Sequence, residues 1–411
     1  MKLKISAPAD IHTKIGLPAS KSLSNRALLI QALSEVYMPL HNLSDCDDTK
    51  LMQNGLVNKS ETINIQAAGT AMRFLTAYYA IIPGMTKILT GSERMLQRPI
   101  KILVDALRQL GADIEYLGEE GFPPLRIKGK QLNGGELHLP ADVSSQYISA
   151  LLMIAPKLKG GLIIHLEDII LSRPYIDMTL DVMNSFGGKA GWIDEQTLKV
   201  EDKSYLGCEY TIENDWSAAS YWYEIASLMA DSTLELPGLW AKSLQGDSSI
   251  VHMFRQLGVK TSFTRNGAYL THRSKKPKRL ICDFSNEPDV AQTFVVTCCL
   301  SGVPFRFSGL NSLKIKETDR IYALITELMK LGYQLTEEEE GTLAWYGKKY
   351  PVNVCPIIDT YNDHRMAMSL APACLCCGDI IINDAEVVSK SYPHFWDDLK
   401  IAGFTVRDLG H

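Results

Sequence analysis

The side chains best suited to chemistry in this sequence are cations that recur where helices are predicted to begin. The stretch Lys316-Glu317-Thr318-Asp319-Arg320 precedes apolar residues at helical spacing, so it predicts the first turn of an amphipathic helix. Lys316 and Arg320 would then share a face at the positive end of the helix dipole, where cations are unfavourable without an anion. The full set comprises Lys21, Arg26, Arg73, Arg94, Arg98, Lys316, Arg320, Arg365 and Lys390, with His364 beside Arg365.

This repetition predicts a ligand with several anionic groups, such as phosphates and carboxylates. The free backbone N–H groups at a helix N-terminus are a ready anion site. Taken singly, each of these cations is better explained as a solvated side chain, and Glu317 and Asp319 are local counter-ions for the opening stretch. The set as a whole favours the anion site.

Hydroxyl, amide and carboxylate groups accompany the cations. The hydroxyl and amide groups are those of Ser144, Ser145, Gln146, Ser172 and Tyr175. Such groups either cap helices or bind the oxygen atoms of a phosphate or a sugar-like ring. Asp289 and Glu317 are carboxylates among cations, which makes each a structural counter-ion or a proton carrier.

Several other functions lack support in the sequence. Neither G-x-x-x-x-G-K-[ST] nor G-x-G-x-x-G occurs, so these two routes to nucleotide binding are not indicated. His and Cys spacing typical of a metal site is also lacking. The nine cysteines, including the pair Cys374 and Cys377, lie in apolar runs and predict reduced core residues rather than a disulfide framework.

Length and composition bound the class of protein. A chain of 411 residues with 46% hydrophobic content predicts two large domains with buried cores. The net charge of -5 argues against nucleic acid as the main partner. The N-terminus lacks the apolar segment of a signal peptide, and apolar runs of membrane-spanning length are lacking, so we expect a cytoplasmic location.

The chain repeats one α/β unit six times, and the first copy is short. The first helices of the units are predicted to begin near Ser22, Thr70, Ser144, Trp216, Pro288 and Asp363. Second helices end in Leu-Gly or Phe-Gly before strands, one of which is predicted at Tyr333-Gln334-Leu335. Glu337 to Glu340 are predicted to form a solvated turn. Three units per domain give residues 20–213 as one domain and residues 1–19 with 214–411 as the other.

The order of motifs resembles that of the 5-enolpyruvylshikimate-3-phosphate synthase family. The matching motifs are Leu17 to Ser22 with Arg26, Ala68 to Arg73, Arg94-Met95, Arg98-Pro99-Ile100, Ser144-Ser145-Gln146, Arg173 to Asp177, Gln245-Gly246-Asp247, Lys316 to Arg320 and Asn362 to Met368. The resemblance implies the two-domain enolpyruvyl transferase fold of six βαβαββ-type units. In that family the two domains close like a clamp, with the active site in the cleft between them.

The resemblance also implies roles for individual residues. Shikimate-3-phosphate would be held by Lys21, Ser22, Arg26, Ser144, Ser145, Gln146, Ser172, Tyr175, Asp289, Ser312 and Lys316. Phosphoenolpyruvate would be held by Lys21, Gly69, Arg94, Gln146, Arg320, Arg365 and Lys390. Asp289 would take the proton of the 5-hydroxyl group, Glu317 would protonate the methylene carbon, and Lys21 is a candidate for either step. The family uses no cofactor and no metal, and we expect a monomer.

Three positions depart from the family pattern. Ala67 stands where Asn usually precedes Ala-Gly-Thr, Phe74 stands where Pro usually follows Met-Arg, and Ser312 stands where Asn usually precedes the Lys. We expect Ser312 to weaken a contact with shikimate-3-phosphate, and Ala67 and Phe74 to lie beside the phosphoenolpyruvate pocket. Sensitivity to glyphosate therefore stays open.

Two other functions stay open from the sequence. One is the enolpyruvyl transferase that acts on UDP-N-acetylglucosamine, although a loop cysteine placed like the catalytic one of that enzyme is not found. The other is a non-catalytic anion-binding relative, against which the presence of both Asp289 and Glu317 speaks.

Overall fold

The computed structural model describes residues 1–141, 144–273, 276–352 and 354–410. Contacts between Cα atoms divide the chain into two compact units. Unit 1 comprises Met1–Pro18 and Glu213–His411, and unit 2 comprises Ala19–Ile212. No helix in the described ranges is long and apolar enough to cross a membrane.

The helices occur along the whole chain. The α-helices are α1 (Lys21–Leu33), α2 (Asp47–Val57), α3 (Gly69–Ala80), α4 (Glu93–Leu96), α5 (Lys101–Gln109), α6 (Ser145–Ile154), α7 (Arg173–Ser185), α8 (Trp216–Leu228), α9 (Ile250–Gln256), α10 (Ala291–Ser301), α11 (Arg320–Lys330), α12 (His364–Leu370), α13 (Cys374–Cys377) and α14 (Phe395–Ile401). Short 3₁₀ helices span Ala155–Lys157, Gly246–Ser249, Asn311–Ile315, Ala371–Ala373 and Ala385–Lys390.

The strands alternate with these helices. They are β1 (Leu3–Ser6), β2 (Ile11–Lys14), β3 (Leu40–His41), β4 (Thr62–Asn64), β5 (Thr86–Thr90), β6 (Asp113–Tyr116), β7 (Leu125–Lys128), β8 (Asn133–Pro140), β9 (Lys159–Glu167), β10 (Ala190–Trp192), β11 (Thr197–Val200), β12 (Tyr210–Thr211), β13 (Ser232–Pro237), β14 (Val259–Thr264), β15 (Gly267–His272), β16 (Leu280–Asp283), β17 (Phe305–Ser308), β18 (Thr336–Glu339), β19 (Thr342–Trp345), β20 (Ile357–Ile358), β21 (Ile380–Ile382) and β22 (Thr405–Asp408).

Unit 2 shows the predicted repeat and its shortened first copy. β4 pairs in parallel with β5 across helix α3, and β5 continues through antiparallel β7 to β6. The strands β8, β9, β11 and β10 repeat this pattern with helices α6 and α7. The copy that contains α1 and α2 has, in the described ranges, only the two-stranded parallel sheet of β3 and β12.

Unit 1 contains three four-stranded sheets of the same kind in the part of the chain that is described. Their strand orders are β14-β15-β13-β2, β16-β17-β19-β18 and β20-β21-β1-β22. β1 comes from the N-terminus and completes the last sheet by pairing with β21 and β22. The α/β architecture of repeated βαβαββ units predicted from the sequence is therefore confirmed.

The first helix of most units is buried around nearly its whole circumference. Helices α3, α6, α8 and α10 have apolar or small residues on every face, as expected of helices packed on several sides. α8 packs against α10, and α3 packs against α6. By contrast, α5 and α11 bury mainly one face. The polar helix starts singled out in the sequence therefore belong largely to the most deeply packed helices.

The predicted starts of five first helices are confirmed to within one residue: those of α1, α3, α6, α8 and α12. The helix predicted near Pro288 begins later, at Ala291. The carbonyl of Asp289 accepts hydrogen bonds from the side chains of Gln292 and Arg365. It is therefore bonded to side chains before the helix begins.

The prediction that Lys316 lies in the first turn of a helix is wrong. Asp319 caps α11 by accepting a hydrogen bond from the backbone N–H of Tyr322, so the helix begins at Arg320. Lys316 has an extended backbone and follows the 3₁₀ helix Asn311–Ile315. It still reaches the same cluster of side chains, but from the preceding connection.

The strand and turn predicted around residues 333–340 are also corrected. Tyr333 makes an isolated bridge with Lys349, and the strand lies further on, at β18. Glu337 and Glu338 were predicted in a solvated turn but belong to this strand, which pairs with β19. Their charges are balanced by nearby cations, since Lys314 lies 2.9 Å from Glu337 and Arg306 lies 2.9 Å from Glu338.

The cysteines, predicted as reduced core residues, are all free thiols, but only four of the nine are buried. Cys374 is buried and Cys377 is half-buried, whereas Cys376 is exposed. Within the ranges described above, no group of three or more His, Cys, Asp or Glu side chains could hold a metal ion.

Glu224 of α8 supplies a prediction about stability. Its side chain is fully buried, and this burial, partly offset by Thr297, raises the pKa of the carboxyl well above its ordinary value. The unfolded chain, with a carboxyl pKa of about 4.3, then binds fewer protons than the folded chain as the pH rises. Stability should therefore fall with rising pH, by up to about 1.4 kcal/mol per pH unit for this group.

We expect Glu224→Gln to remove this part of the pH dependence, because glutamine keeps the shape but does not titrate. Urea unfolding midpoints measured between about pH 5 and pH 8 test this. Glu340→Gln, at an exposed position in the same unit, is the control and should retain the wild-type slope. Parallel slopes for wild type and Glu224→Gln would contradict the assignment.

Candidate active site

Arg320 is the centre of a buried charge cluster in unit 1. As the first residue of α11 it projects from a capped helix start, and its side chain is 1% exposed. Its Nε lies 2.7 Å from Oδ2 of Asp363, and its Nη2 lies 2.8 Å from Oε2 of Glu317. Although burial lowers the pKa of Arg320, Asp363 and Glu317 together raise it above its ordinary value, so this guanidinium stays charged.

One nitrogen of Arg320 is left without a hydrogen bond. Nη1 is buried and has no hydrogen-bond partner among the described residues. Oδ1 of Asp289 lies 3.7 Å from this nitrogen, which is too far for a hydrogen bond. Buried N–H groups are nearly always paired, and a charged one is especially costly to leave unpaired. This atom therefore suits an acceptor that binds from outside the protein.

Asp289 lies among three cations. Its carboxylate lies 2.9 Å from Nη2 of Arg365, 3.6 Å from Nζ of Lys316 and 3.7 Å from Nη1 of Arg320. Gln292 and Arg365 both donate to the Asp289 carbonyl, which holds this residue in place. The carboxylate is accurately positioned yet 20% exposed, so a small molecule can reach it.

The three carboxylates of this cluster differ in accessibility. Asp363 is completely buried, caps α12 by accepting from the backbone N–H of Arg365, and pairs with Arg320. Glu317 pairs with Arg320, and Asp289 lies near Lys316, Arg320 and Arg365, but these two carboxylates keep 14% and 20% of their side chains exposed. Asp363 is thus a permanent counter-ion, while Glu317 and Asp289 can exchange partners when another anion arrives.

Lys390 approaches this cluster through the connection before α12. Its Nζ donates to the carbonyl of Asn362 at 2.5 Å. Tyr361 and Asn362 both have left-handed backbones, with φ of 53° and 54°, which is unfavourable for residues other than glycine. The tertiary contacts of the connection must hold it in this shape, as is common near functional sites.

Arg26 is the corresponding buried cation of unit 2. Its Nε donates to Thr179 at 2.7 Å, its Nη2 to Ser149 at 3.1 Å and to the Tyr175 carbonyl at 3.2 Å, and its Nη1 to the Ser22 carbonyl at 3.1 Å. All of these acceptors are neutral, and burial lowers the pKa of Arg26 to about 10. A buried cation surrounded by neutral groups favours the binding of an anion nearby.

Lys21 begins α1, directly after the Ser20 cap. Its Nζ lies 2.9 Å from Oδ2 of Asp48 in α2, and both side chains are largely buried. Ser22 follows on the next position and is half-buried. The start of α1 therefore presents one paired ammonium group and one hydroxyl group.

The start of α3 lies against Arg98 and α6. A Cβ atom at position 69 would lie only 2.6 Å from Nη1 of Arg98, so a larger residue at this position would displace the Arg98 guanidinium. Gln146 of α6 donates to the Thr70 hydroxyl at 3.2 Å, which joins the starts of α3 and α6. Arg73 points inward, and its Nη2 donates to the Pro99 carbonyl at 2.8 Å, so its role is structural.

The remaining hydroxyl groups lie at two other helix starts of unit 2. Ser144 accepts from the backbone N–H of Gln146 at 3.4 Å and caps α6, and Ser145 begins that helix. Ser172 precedes α7 with a left-handed φ of 56° and makes no capping hydrogen bond with its side chain. Its hydroxyl is therefore not consumed by the helix that it precedes.

The structure thus brings most of the predicted residues together within each unit. In unit 1 these are Asp289, Lys316, Glu317, Arg320 and Arg365. In unit 2, Arg26 donates hydrogen bonds to the carbonyls of Ser22 and Tyr175, and Gln146 donates to the hydroxyl of Thr70, the residue after Gly69. Arg94 is a half-buried residue of α4, and Ser312 is a half-buried residue of the 3₁₀ helix before Lys316.

Four partners of these residues were missed by the sequence analysis. They are Asp48, Ser149, Thr179 and Asp363. The sequence did give a sign of Asp363, because this residue directly precedes the basic residues His364 and Arg365 at a helix start. The other three contact their partners only through tertiary packing, which helical spacing does not reveal.

The departures at Ala67 and Phe74 lie close to these residues. Phe74 is fully buried in α3, and its ring lies 5.6 Å from the guanidinium carbon of Arg26, a residue that the resemblance assigns to shikimate-3-phosphate. Ala67 is half-buried just before the Gly69 turn. Phe74 was expected beside the phosphoenolpyruvate pocket, but it contacts Arg26, which the resemblance assigns to shikimate-3-phosphate.

Comparison with known proteins identifies the family. The sequence profile of the EPSP synthase (3-phosphoshikimate 1-carboxyvinyltransferase) family matches residues 54–399. The 3-phosphoshikimate 1-carboxyvinyltransferase of Bacteroides fragilis (strain YCH46) is 54% identical over 407 residues, which cover 99% of each chain. The enzyme of the same name from Photobacterium profundum is 34% identical over 97% of this chain and 98% of its own.

The fold agrees with this identification. The 2.37 Å structure of EPSP synthase from Acinetobacter baumannii superposes with a TM-score of 0.78, at 20% sequence identity, over 99% of this chain and 100% of its own. With its fold, its sequence match and its helix-start cations in agreement, the chain belongs to the EPSP synthase (3-phosphoshikimate 1-carboxyvinyltransferase) family.

Proposed function

We propose that this chain transfers the enolpyruvyl group of phosphoenolpyruvate to the 5-hydroxyl of shikimate-3-phosphate, giving 5-enolpyruvylshikimate-3-phosphate and phosphate. The observation that carries the proposal is the buried Nη1 of Arg320, which has no hydrogen-bond partner in the described part of the chain and lies beside the accessible Asp289. An anionic substrate supplies the missing acceptor next to a carboxylate that can take a proton.

In the proposed reaction, cations of unit 1 hold phosphoenolpyruvate. Arg320, Arg365 and Lys390 bind its carboxylate and phosphate, assisted by Lys21, Gly69, Arg94 and Gln146. Binding of this anion competes with Asp289 and Glu317 for the same guanidinium groups. These two carboxylates are then less stabilised as anions, which makes each a better proton acceptor.

The chemical steps are addition followed by elimination. Asp289 takes the proton of the 5-hydroxyl, whose oxygen attacks C2 of phosphoenolpyruvate, while Glu317, protonated once phosphoenolpyruvate has displaced it from Arg320, delivers its proton to C3. The tetrahedral adduct then returns a proton from C3 to the Glu317 carboxylate and expels phosphate from C2, which restores the double bond. Lys21 is a second candidate for either proton transfer, and the neighbouring cations stabilise the departing phosphate.

We further propose that the neutral hydrogen-bonding groups of unit 2 bind shikimate-3-phosphate. These groups are Ser22, Ser144, Ser145, Gln146, Ser172 and Tyr175, with Arg26 and Lys21 as cations; from unit 1, Asp289, Ser312 and Lys316 complete the set. The buried charge of Arg26, surrounded by neutral acceptors, supports an anion at this position. A monomeric state and a cytoplasmic location are also part of the proposal.

The first prediction compares two acceptors. Phosphate release from phosphoenolpyruvate is measured with shikimate-3-phosphate and, separately, with UDP-N-acetylglucosamine. We expect release only with shikimate-3-phosphate, because the site carries hydroxyl groups and cations suited to a small phosphorylated ring. Release only with the sugar nucleotide would assign the other acceptor, and binding of shikimate-3-phosphate without release would indicate a non-catalytic relative.

The second prediction separates the catalytic carboxylates from the structural one. Asp289→Asn and Glu317→Gln should each lower kcat by about 100-fold or more, as expected for loss of a general acid or base, with little change in stability. Asp363→Asn should instead lower the free energy of unfolding by about 3 kcal/mol or more, because it leaves the buried charge of Arg320 without its main partner.

These variants are compared by steady-state kinetics and urea unfolding. Asp397→Asn, which alters an exposed ion pair with Lys400 in the same unit, is the control and should leave both quantities near wild type. Near-normal kcat in both Asp289→Asn and Glu317→Gln would remove them from the proposed proton transfers.

A further inference from the structure

The hairpin of β10 and β11 holds the start of α7 through the indole ring of Trp192. The guanidinium carbon of Arg173 lies 4.0 Å from the centroid of this ring, and the indole N–H donates to Oδ1 of Asp177 at 2.7 Å. Arg173 and Asp177 are four residues apart on α7, so they share one face of the helix. Trp192 therefore contacts this face at two points, one through its ring and one through its N–H.

The turn of the same hairpin is attached to the connection before α7. Nη1 of Arg173 donates to the carbonyl of Glu195 at 3.1 Å, and the side chain of Gln196 donates to the carbonyl of Asp168 at 3.2 Å. The connection from Asp168 to Ser172 thus has a hydrogen bond to the hairpin near each of its ends.

This connection has a backbone that needs external support. Asp168 and Ser172 have left-handed φ values of 67° and 56°, which residues with a Cβ atom rarely adopt. The Ser172 side chain makes no capping hydrogen bond that would offset the cost of this backbone conformation. The contacts with the hairpin are therefore well placed to stabilise the conformation that sets the direction of the Ser172 side chain.

The start of α7 also determines the position of Arg26. The carbonyl of Tyr175 accepts hydrogen bonds from Nη2 of Arg26 and from the Thr179 hydroxyl, which itself accepts from Nε of Arg26. A displacement of the first turn of α7 would move Ser172, Tyr175 and Arg26 together.

We propose that Trp192 is a positioning residue for shikimate-3-phosphate, acting through Arg173 and Asp177 on the Ser172, Tyr175 and Arg26 side chains. This inference rests on the proposed function. Trp192 itself does not contact substrate or the reacting atoms. Its effect is on the affinity for one of the two substrates, because the groups that it positions are those assigned to shikimate-3-phosphate.

Kinetics of Trp192→Leu and Trp192→Phe test the proposal. Trp192→Leu loses both contacts and should raise the KM for shikimate-3-phosphate about tenfold, with kcat and the KM for phosphoenolpyruvate within about twofold of wild type. Trp192→Phe keeps a ring under Arg173 and loses only the indole N–H, so its effect should be smaller. A matched control is Glu201→Gln, which removes the exposed pair with Lys189 at the other end of the same hairpin and should leave all three constants unchanged.

A second set of variants tests the same contact from α7. Asp177→Asn retains an oxygen that can accept from the indole and should behave like wild type, whereas Asp177→Ala should resemble Trp192→Phe, because both lose only the hydrogen bond of the indole N–H. Should Trp192→Leu fail to fold, Asp177→Ala and Trp192→Phe provide the comparison. Equal changes in both KM values and in kcat would indicate a general structural role and overturn the proposal.

Backbone amide exchange gives a readout that does not depend on turnover. In the absence of substrates, the amides of residues 169–177 should exchange faster in Trp192→Leu than in wild type or Glu201→Gln. If the wild type releases phosphate, two results for Trp192→Leu would overturn this inference but not the proposed function. One is an unchanged KM for shikimate-3-phosphate, and the other is unchanged amide exchange in residues 169–177. Lack of phosphate release by the wild type would overturn the proposed function and this inference with it.

Discussion

The buried ion pair between Arg320 and Asp363 is the interaction on which the candidate site of unit 1 depends. Both side chains are almost completely removed from water, and transfer of two charges into the interior is costly unless they are paired and hydrogen-bonded. Here two nitrogens of Arg320 bond to the two oxygens of Asp363, and Asp363 also caps α12. The pair therefore ties the starts of α11 and α12 together and holds the Arg320 guanidinium in a fixed position between them.

This arrangement explains why the same cluster can contain both structural and reactive carboxylates. Asp363 cannot leave Arg320 without exposing a buried charge, whereas Asp289 and Glu317 are partly exposed and interact with cations that have other partners. An incoming anion can therefore replace Asp289 and Glu317 without disturbing the pair beneath them. Among the described residues, three cations, Lys316, Arg320 and Arg365, lie beside three carboxylates, so their charges offset one another.

The buried cation of unit 2, Arg26, differs from Arg320 in the type of its hydrogen-bond partners. Arg26 has hydroxyl and carbonyl acceptors instead of carboxylates, and its contact with the Phe74 ring adds a further weak stabilisation. Neutral acceptors orient a guanidinium without cancelling its charge, so the attraction for an external anion is retained. They also make the position of Arg26 dependent on the neighbouring helices α6 and α7, which is why contacts at the outer face of α7 can affect it.

The sequence predicted much of the fold because each repeat has the same local signals. A polar residue, an apolar helix and a glycine-terminated second helix recur, and the starts of α1, α3, α6, α8 and α12 were located to within one residue. The same signals misplaced Lys316, since charge spacing alone does not reveal that Asp319 is the cap. β18 was also misjudged, because its like-charged glutamates are neutralised by residues distant in sequence, Lys314 and Arg306.

The candidate site was predictable in its cations and far less so in their partners. Cations at helix starts conflict with the helix dipole and therefore stand out in a sequence, as Arg320 and Arg365 do. Their partners satisfy ordinary packing rules: Thr179 is simply a buried residue of α7, and Asp48 is an acidic residue in the first turn of α2, where the dipole already favours it. When a residue type is already explained by burial or by the helix dipole, the sequence does not indicate that its side chain also orients a cation. For that reason the anion-binding cations can be inferred from local sequence, while the groups that orient them require the three-dimensional structure.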